Sequence, residues 1–415
     1  MPAGTNWPTD EASPEIRRLI SPSMEFRAQP FDVEAVFAKT RRKRPRGLRG
    51  PNSPLYASIW PMVHIVRLFG FAPYKFSQDR LVPSNGYLIF SAIAAVLYSY
   101  ILYVIVQRFT NVKQDQTTLN RTENAKVIIN YSVVVYELGL TVFMRRSFTR
   151  TWNALQDYDE SVRQLGYPRK ETRTAIAAWI LAIVTATVWT TVNRSGMYAF
   201  LETWIYNMGY MLSYVGTSIA LYKFVGIAYF LGQRFHHLNT IAIKNLPSPS
   251  PREKTTHVSR KTIQSLHNDL MLAAENLESL YSWSLLLWLC NLSVHAVSNV
   301  YFIIEWVLMT SWETVTWPLI YCMSAWLLAV LIQLLLLHIA CDFASSQANY
   351  MGPVLIEWQL RLMRRNEECT DSTLQFLNRK LKFSAAGCCY VNLPLLRSIA
   401  ALLATYLVIL LQFPS

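Results

Sequence analysis

Seven apolar stretches, each close to the roughly 20 residues that a helix needs to cross a bilayer, dominate this chain of 415 residues. They run over about 86–106, 125–143, 175–193, 205–232, 281–309, 317–340 and 391–413. In hydrocarbon every backbone N–H and C=O must find its partner within the segment or in a closed barrel, and stretches this long and continuous are read as helices. The expected fold is therefore an all-α membrane protein with seven transmembrane helices. Composition agrees: 52% hydrophobic and 16% charged residues are too apolar for a soluble basic protein, in spite of a pI near 9.5.

The distribution of Lys and Arg orients the spans. The segment before the first span holds 13, and the 144–174, 233–280 and 341–390 loops hold 7, 6 and 6, which together make 32 of the 39. The alternate loops, 107–124 and 194–204, hold 3 and 1, and 310–316 holds none. This asymmetry predicts a cytosolic N-terminus and, after seven spans, an extracellular C-terminus. G-protein-coupled receptors share the span count with the opposite orientation, so the pattern excludes them. The glycosylation-type triplets Asn120-Arg121-Thr122 and Asn193-Arg194-Ser195 fall in or beside the outward loops, as acceptors must. Residues 1–85 are expected to form a cytosolic N-terminal region, polar and Pro-containing without the short apolar core of a signal peptide. Residues 86–413 form the seven-span domain.

The cytosolic side carries more than linkers. "QSLHNDLMLAAENLESLYSW" (264–283) and "VLIEWQLRLMRR" (354–365) alternate apolar and charged positions at helical spacing, so the fifth and sixth spans should continue as long helices below the membrane. "NLPSPSPREKTT" (245–256) reads as a break between them. The run "RRKRPRGLR" (41–49) reads as an inner-leaflet lipid contact rather than a nucleic-acid patch. Cys341, Cys369, Cys388 and Cys389 lie at the cytosolic face and Cys290 and Cys322 within spans, a placement that predicts no structural disulfide. No hydrolase, metalloprotease or phosphate-cradling motif occurs, and neither a cofactor nor a metal is expected. The adjacent His236 and His237 diverge by about 100° on a helix and do not make a ligand pair.

The last span begins at a specified point, with Asn392 as a cap and Pro394 in the first turn. Thr405 and Gln412, seven apart, share one face, and Tyr406 and Phe413 share the next. A Gln at membrane depth needs protein or water to face, either a helix–helix hydrogen bond or a water-filled pore. The sequence Thr405-Tyr406, five apolar residues, then Gln412-Phe413 resembles the closing signature of the insect gustatory receptors, and 383–413 is similar to that family's last-helix region throughout. "RLFGFAPY" (67–74) and "RFHHLN" (234–239) are weaker likenesses.

The resemblance implies a ligand-gated, non-selective cation channel, related to the insect odorant receptors and assembled as a tetramer, with the last helices lining a central pore. Carried onto this chain, Gln412 and Phe413 would form the extracellular gate, with Ile409, Tyr406 and Thr405 below it. The family's agonist pocket lies in the outer half of each subunit. The residues of this sequence at that depth are Glu137, Trp189, Tyr206, Tyr210, His295, Asn299, Glu305 and Tyr321. Ionisable groups within spans are functional by default, which favours Glu137, His295 and Glu305. The main sugar-receptor branch is similar in carrying an acidic residue after the Thr-Tyr pair, whereas position 407 is Leu. That departure leaves the fructose-responsive group and the bitter-type group, and the bitter-type reading is preferred. The implied partners are a small tastant, membrane lipid and further copies of the chain as a homotetramer, with a heteromer containing other gustatory receptors as the alternative. The implied location is the plasma membrane of sensory neurons. A carrier would show internal repeats and broken helices; the two halves of this sequence show no repeat.

Overall fold

The computed structural model describes residues 54–77, 80–111, 118–169, 171–199, 204–247, 258–309, 317–364 and 378–412. The basic run at 41–49, Cys369, Phe413 and most of the 245–256 break lie outside them.

The first element is not a span. Helix α1 (Pro54–Leu68) starts beside the cytosolic end of the bundle, where the Ser58 hydroxyl donates to the Glu171 carbonyl. It then rises into the bundle and turns at Gly70. A Cβ there would lie 2.7 Å from Ala94 Cβ, and its φ of +85° is one that side chains rarely adopt, so only glycine suits the apex. The chain returns as an antiparallel hairpin, β1 (Tyr74–Ser77) and β2 (Arg80–Pro83). Three contacts hold this re-entrant segment. Lys223 Nζ donates to the Phe71 carbonyl at 3.0 Å, the Tyr74 ring stacks on Phe148 at 4.9 Å, and Asn153 pairs with both the N–H and C=O of Leu81.

Helices α2 (Asn85–Asn111), α3 (Thr118–Phe143), α5 (Thr172–Ala199), α6 (Trp204–Lys244), α7 (Arg260–Met309) and α8 (Trp317–Met363) each contain a segment long and apolar enough to cross a membrane. Between α3 and α5 lies α4 (Arg145–Gln164), an amphipathic helix that buries Phe148, Trp152, Leu155, Tyr158 and Val162 at three- and four-residue steps. The last helix, α9 (Leu393–Gln412), follows a two-stranded turn of β3 (Ser384–Ala385) and β4 (Cys389–Tyr390). Asn392 caps it, Oδ1 accepting from the Leu395 N–H at 2.9 Å.

Helices α6, α7 and α8 are 41, 50 and 47 residues long. At 1.5 Å per residue they reach about 60–75 Å, twice the roughly 30 Å of hydrocarbon. The surplus projects on the side of the basic loops, as the helical spacing of 264–283 and 354–365 requires. In that region Ile263, Leu266, Leu270, Ala274 and Leu277 form the buried face of α7. The core runs along α6, which packs most extensively on α8. At Gly232 the two helices come so close that a Cβ would meet the Phe343 ring at 2.5 Å.

A buried ionic clamp ties α4, α5 and α6 together on the cytosolic side. The Arg234 guanidinium is fully buried, 2.5 Å from Asp159 and 3.6 Å from Glu171. Arg169 pairs with Glu171 at 3.2 Å and donates to Gln233 at 3.0 Å. Burial pushes the Asp159 carboxyl above its usual range, against the opposing pull of Arg234. Burial, then repulsion by Arg234, holds Arg169 below its own.

Candidate functional site

The outer half of the bundle holds a polar cluster that the bilayer should not tolerate unless it is used. Helix α3 brings Lys126 and Asn130, one turn apart on a single face. Helix α7 brings Asn291, His295 and Asn299 at successive steps of four. All five are buried. Lys126 Nζ donates to Asn299 Oδ1 at 2.9 Å and lies 5.0 Å from the centre of the Trp326 ring. Asn130 is the hub, its Oδ1 accepting from Asn291 Nδ2 at 2.8 Å and from the Thr217 hydroxyl at 3.4 Å. Its amide nitrogen therefore faces His295 Nε2, at 2.9 Å. With the amide donating, Nε2 accepts and the imidazole proton sits on Nδ1.

Around these groups stand aromatic rings. Tyr214 packs edge-on against Trp326 at 4.3 Å and against His295 at 5.3 Å, and Trp189 stacks on the far side of Tyr214 at 6.1 Å. The other face of Trp189 borders a cavity of 520 Å³ between α1, α5 and α6. Its walls are mostly apolar, with Met62, Met208 and Met211 supplying adaptable thioethers. At its outer end the Asn207 amide joins α6 to α5 by donating to the Asn193 carbonyl at 2.8 Å.

The cluster is incompletely satisfied. His295 Nδ1, Asn299 Nδ2, Trp326 Nε1 and Asn291 Oδ1 are buried with no hydrogen-bond partner among the described residues. Each such group costs about 1–3 kcal/mol when left unpaired. Three of the four are donors, so acceptor atoms are what the cluster lacks, and none of the four residues lines the 520 Å³ cavity.

The structure brings His295 and Asn299 into this cluster and sets Trp189 between it and the cavity. Tyr210 is half-buried on the same helix as Tyr214. Glu137 is buried, but it lies seven residues along α3 from Asn130, about 10 Å toward the cytosol, and belongs to a different level of the bundle. Tyr321 is 61% exposed and packs beside Trp317. The side chains of Tyr206, Glu305 and Tyr406 lie outside the described residues, as does Phe413. Thr405, Ile409 and Gln412 are exposed on α9. Lys126, Asn130, Asn291 and Trp326 were missed by sequence reading. Their signal is the pairing of Lys-x-x-x-Asn on one span with Asn-x-x-x-His-x-x-x-Asn on another.

The sequence model of a family described as 7tm Chemosensory receptor matches residues 60–414. The chain belongs to the 7tm chemosensory receptor family. No curated protein sequence matches it. The receptor's fold is similar to that of the insect olfactory receptor OR5 from Machilis hrabei, with a TM-score of 0.59 at 15% identity, covering 86% of this chain and 98% of that one. The structure of OR5 in complex with eugenol is similar at a TM-score of 0.61 and 14% identity, with the same coverage. The receptor is thus a multi-span membrane protein of a sensory receptor family, not of an enzyme family.

Proposed function

We propose that this receptor is a ligand-gated cation channel of the gustatory type, opened by a small bitter-type plant compound, working as a homotetramer in the plasma membrane of sensory neurons. The observation that carries the ligand class is the set of buried, unpaired donors on His295, Asn299 and Trp326 beside an aromatic wall. A compact aromatic or lactone-like molecule with a few acceptor oxygens would satisfy them, whereas a sugar would bring a full set of hydroxyl donors. Eugenol, an oxygen-bearing aromatic, is bound by the structurally similar OR5, which supports the same chemistry here.

The pore assignment draws its support from α9. Leu395, Leu396, Ile399 and Leu403 pack against the rest of the chain, while most other described residues of α9, among them Leu402, Thr405, Val408, Ile409 and Gln412, are exposed. So broad an unpacked surface on one apolar helix suits a helix that meets its copies around an axis, with Gln412 and Phe413 at the outer gate and Thr405, Tyr406 and Ile409 below it.

The test is whole-cell current from cells expressing this chain alone, with G-protein signalling blocked, during perfusion of sugars and bitter plant compounds. The expected result is a rapid cation current to a bitter compound, and an altered leak or gating in Gln412→Ala at normal surface expression. A current to sugars alone would replace the ligand class with the fructose-responsive reading. Saturable uptake without current would replace the channel with a carrier, and an unchanged leak and dose response in Gln412→Ala would remove the pore assignment.

A further inference from the structure

A second cavity, of 500 Å³, lies at the cytosolic end of the bundle between α1 and the first turns of α2, lined by His64, Arg67, Leu68, Ser84, Tyr87 and Phe90 together with Gly86. Its polar chemistry is one-sided, because among the described residues two basic side chains line it and no acidic one does. Arg67 belongs to the re-entrant segment whose apex, Gly70, touches Ala94 and Leu138 within the spans, so its guanidinium lies at the level of the inner membrane interface. A cation there is normally paired. Arg67 instead donates to the Tyr74 carbonyl at a long 3.3 Å and lies 4.3 Å over the Tyr87 ring. Among the described residues its Nε is buried with no hydrogen-bond partner and no carboxylate forms an ion pair with it. The neighbouring surface is apolar and outward-facing, with Leu68 70% and Ile89 62% exposed.

We propose that this cavity binds the headgroup of an anionic phospholipid of the inner leaflet. The lipid phosphate pairs with Arg67, His64 on the adjoining turn of α1 adds a second donor, and an acyl chain lies along Leu68 and Phe90. The charge complementarity and the apolar wall at hydrocarbon level together favour a lipid over a soluble anion. The bound lipid bridges α1 to α2 and secures the re-entrant segment from the membrane side, far from the outer cluster.

The experiment uses the purified full-length receptor in detergent, stripped of lipid and then offered equimolar phosphatidylserine and phosphatidylcholine, with retained adducts counted by native mass spectrometry. The wild type should retain phosphatidylserine over phosphatidylcholine by about fivefold, the scale of one basic contact at a membrane surface. Arg67→Gln should bring the ratio close to parity. Gly86→Leu should do the same by filling the cavity, since a side chain at that position meets open space, and it keeps the test alive if Arg67→Gln does not fold. Arg173→Gln, an exposed basic position at the cytosolic start of α5, should leave the ratio unchanged. No preference in the wild type, or a preserved preference in Gly86→Leu, overturns the proposal. Displacement of the lipid by millimolar inorganic phosphate would overturn it in favour of a soluble-anion site.

Discussion

Two polar clusters among the described residues of the receptor differ in the charge of their members. The cytosolic clamp of Arg234, Asp159, Glu171 and Arg169 pairs positive groups with carboxylates at 2.5–3.6 Å across α4, α6 and the connection that leads into α5. The outer cluster of Asn130, Asn291, His295 and Asn299 is made of neutral amides and an imidazole around one ammonium; among the described residues both clusters leave buried polar atoms without a partner, Asp159 Oδ1, Arg169 Nη1 and Arg234 Nε in the clamp and four in the outer one. Full charges joined at close range hold their helices in one arrangement, because separating them leaves an uncompensated buried charge. Neutral groups can exchange partners at a lower cost than full charges, so an incoming molecule can alter how α3, α6 and α7 sit together. One cluster is suited to hold the bundle, and the other to be changed by what enters it.

The largest expected effect tests the first half of that contrast. Arg234→Met removes the fully buried cation and leaves Asp159 and Glu171 with Arg169 alone. It should cost about 3–5 kcal/mol, read as a large loss of folded receptor in size-exclusion profiles and a lower melting temperature. A variant that folds with the wild-type yield and melting temperature would show that the clamp does not hold the fold.

In the outer cluster the expectation reverses. His295→Ala should leave surface expression near the wild-type level and weaken agonist potency by roughly 5- to 30-fold, the effect of about 1–2 kcal/mol. Loss of expression with unchanged potency in the remaining receptors would make this cluster structural, like the clamp.

The smallest effect is a pH dependence. Burial raises the Asp159 carboxyl in the folded state, so the folded receptor takes up this proton before the unfolded chain does. The contribution of the group to stability is then fully present below the ordinary carboxylate range and is lost as pH rises through the folded value. Asp159→Asn lacks this titration. The melting temperature of the wild type relative to Asp159→Asn should therefore be higher at mildly acid pH than at pH 7, and an identical difference at both would contradict the burial of the carboxylate.

Much of the architecture was legible in the residues. The spans, the cytosolic extensions of α7 and α8 and the Asn392 cap follow from local runs, periods and capping chemistry, each visible in a window of a few turns. The candidate site was legible only in part. His295, Asn299 and Trp189 stand out as polar or aromatic residues inside apolar stretches, whereas Lys126 sits at the edge of its span and reads as an interfacial charge. Glu137, equally conspicuous, belongs to another level. Depth along a helix is a count of residues, but the direction a side chain faces depends on the rotation of its helix against its neighbours.

The sequence by itself determined which segments form long apolar helices, because the thickness of hydrocarbon and the cost of burying charge act on each segment separately. Only the tertiary structure decided that Lys126 would meet Asn299, 173 residues away, and that Arg67 would line a cavity with Tyr87. Those meetings depend on close approaches such as that at Gly70, where helices are set side by side by packing that no single segment contains.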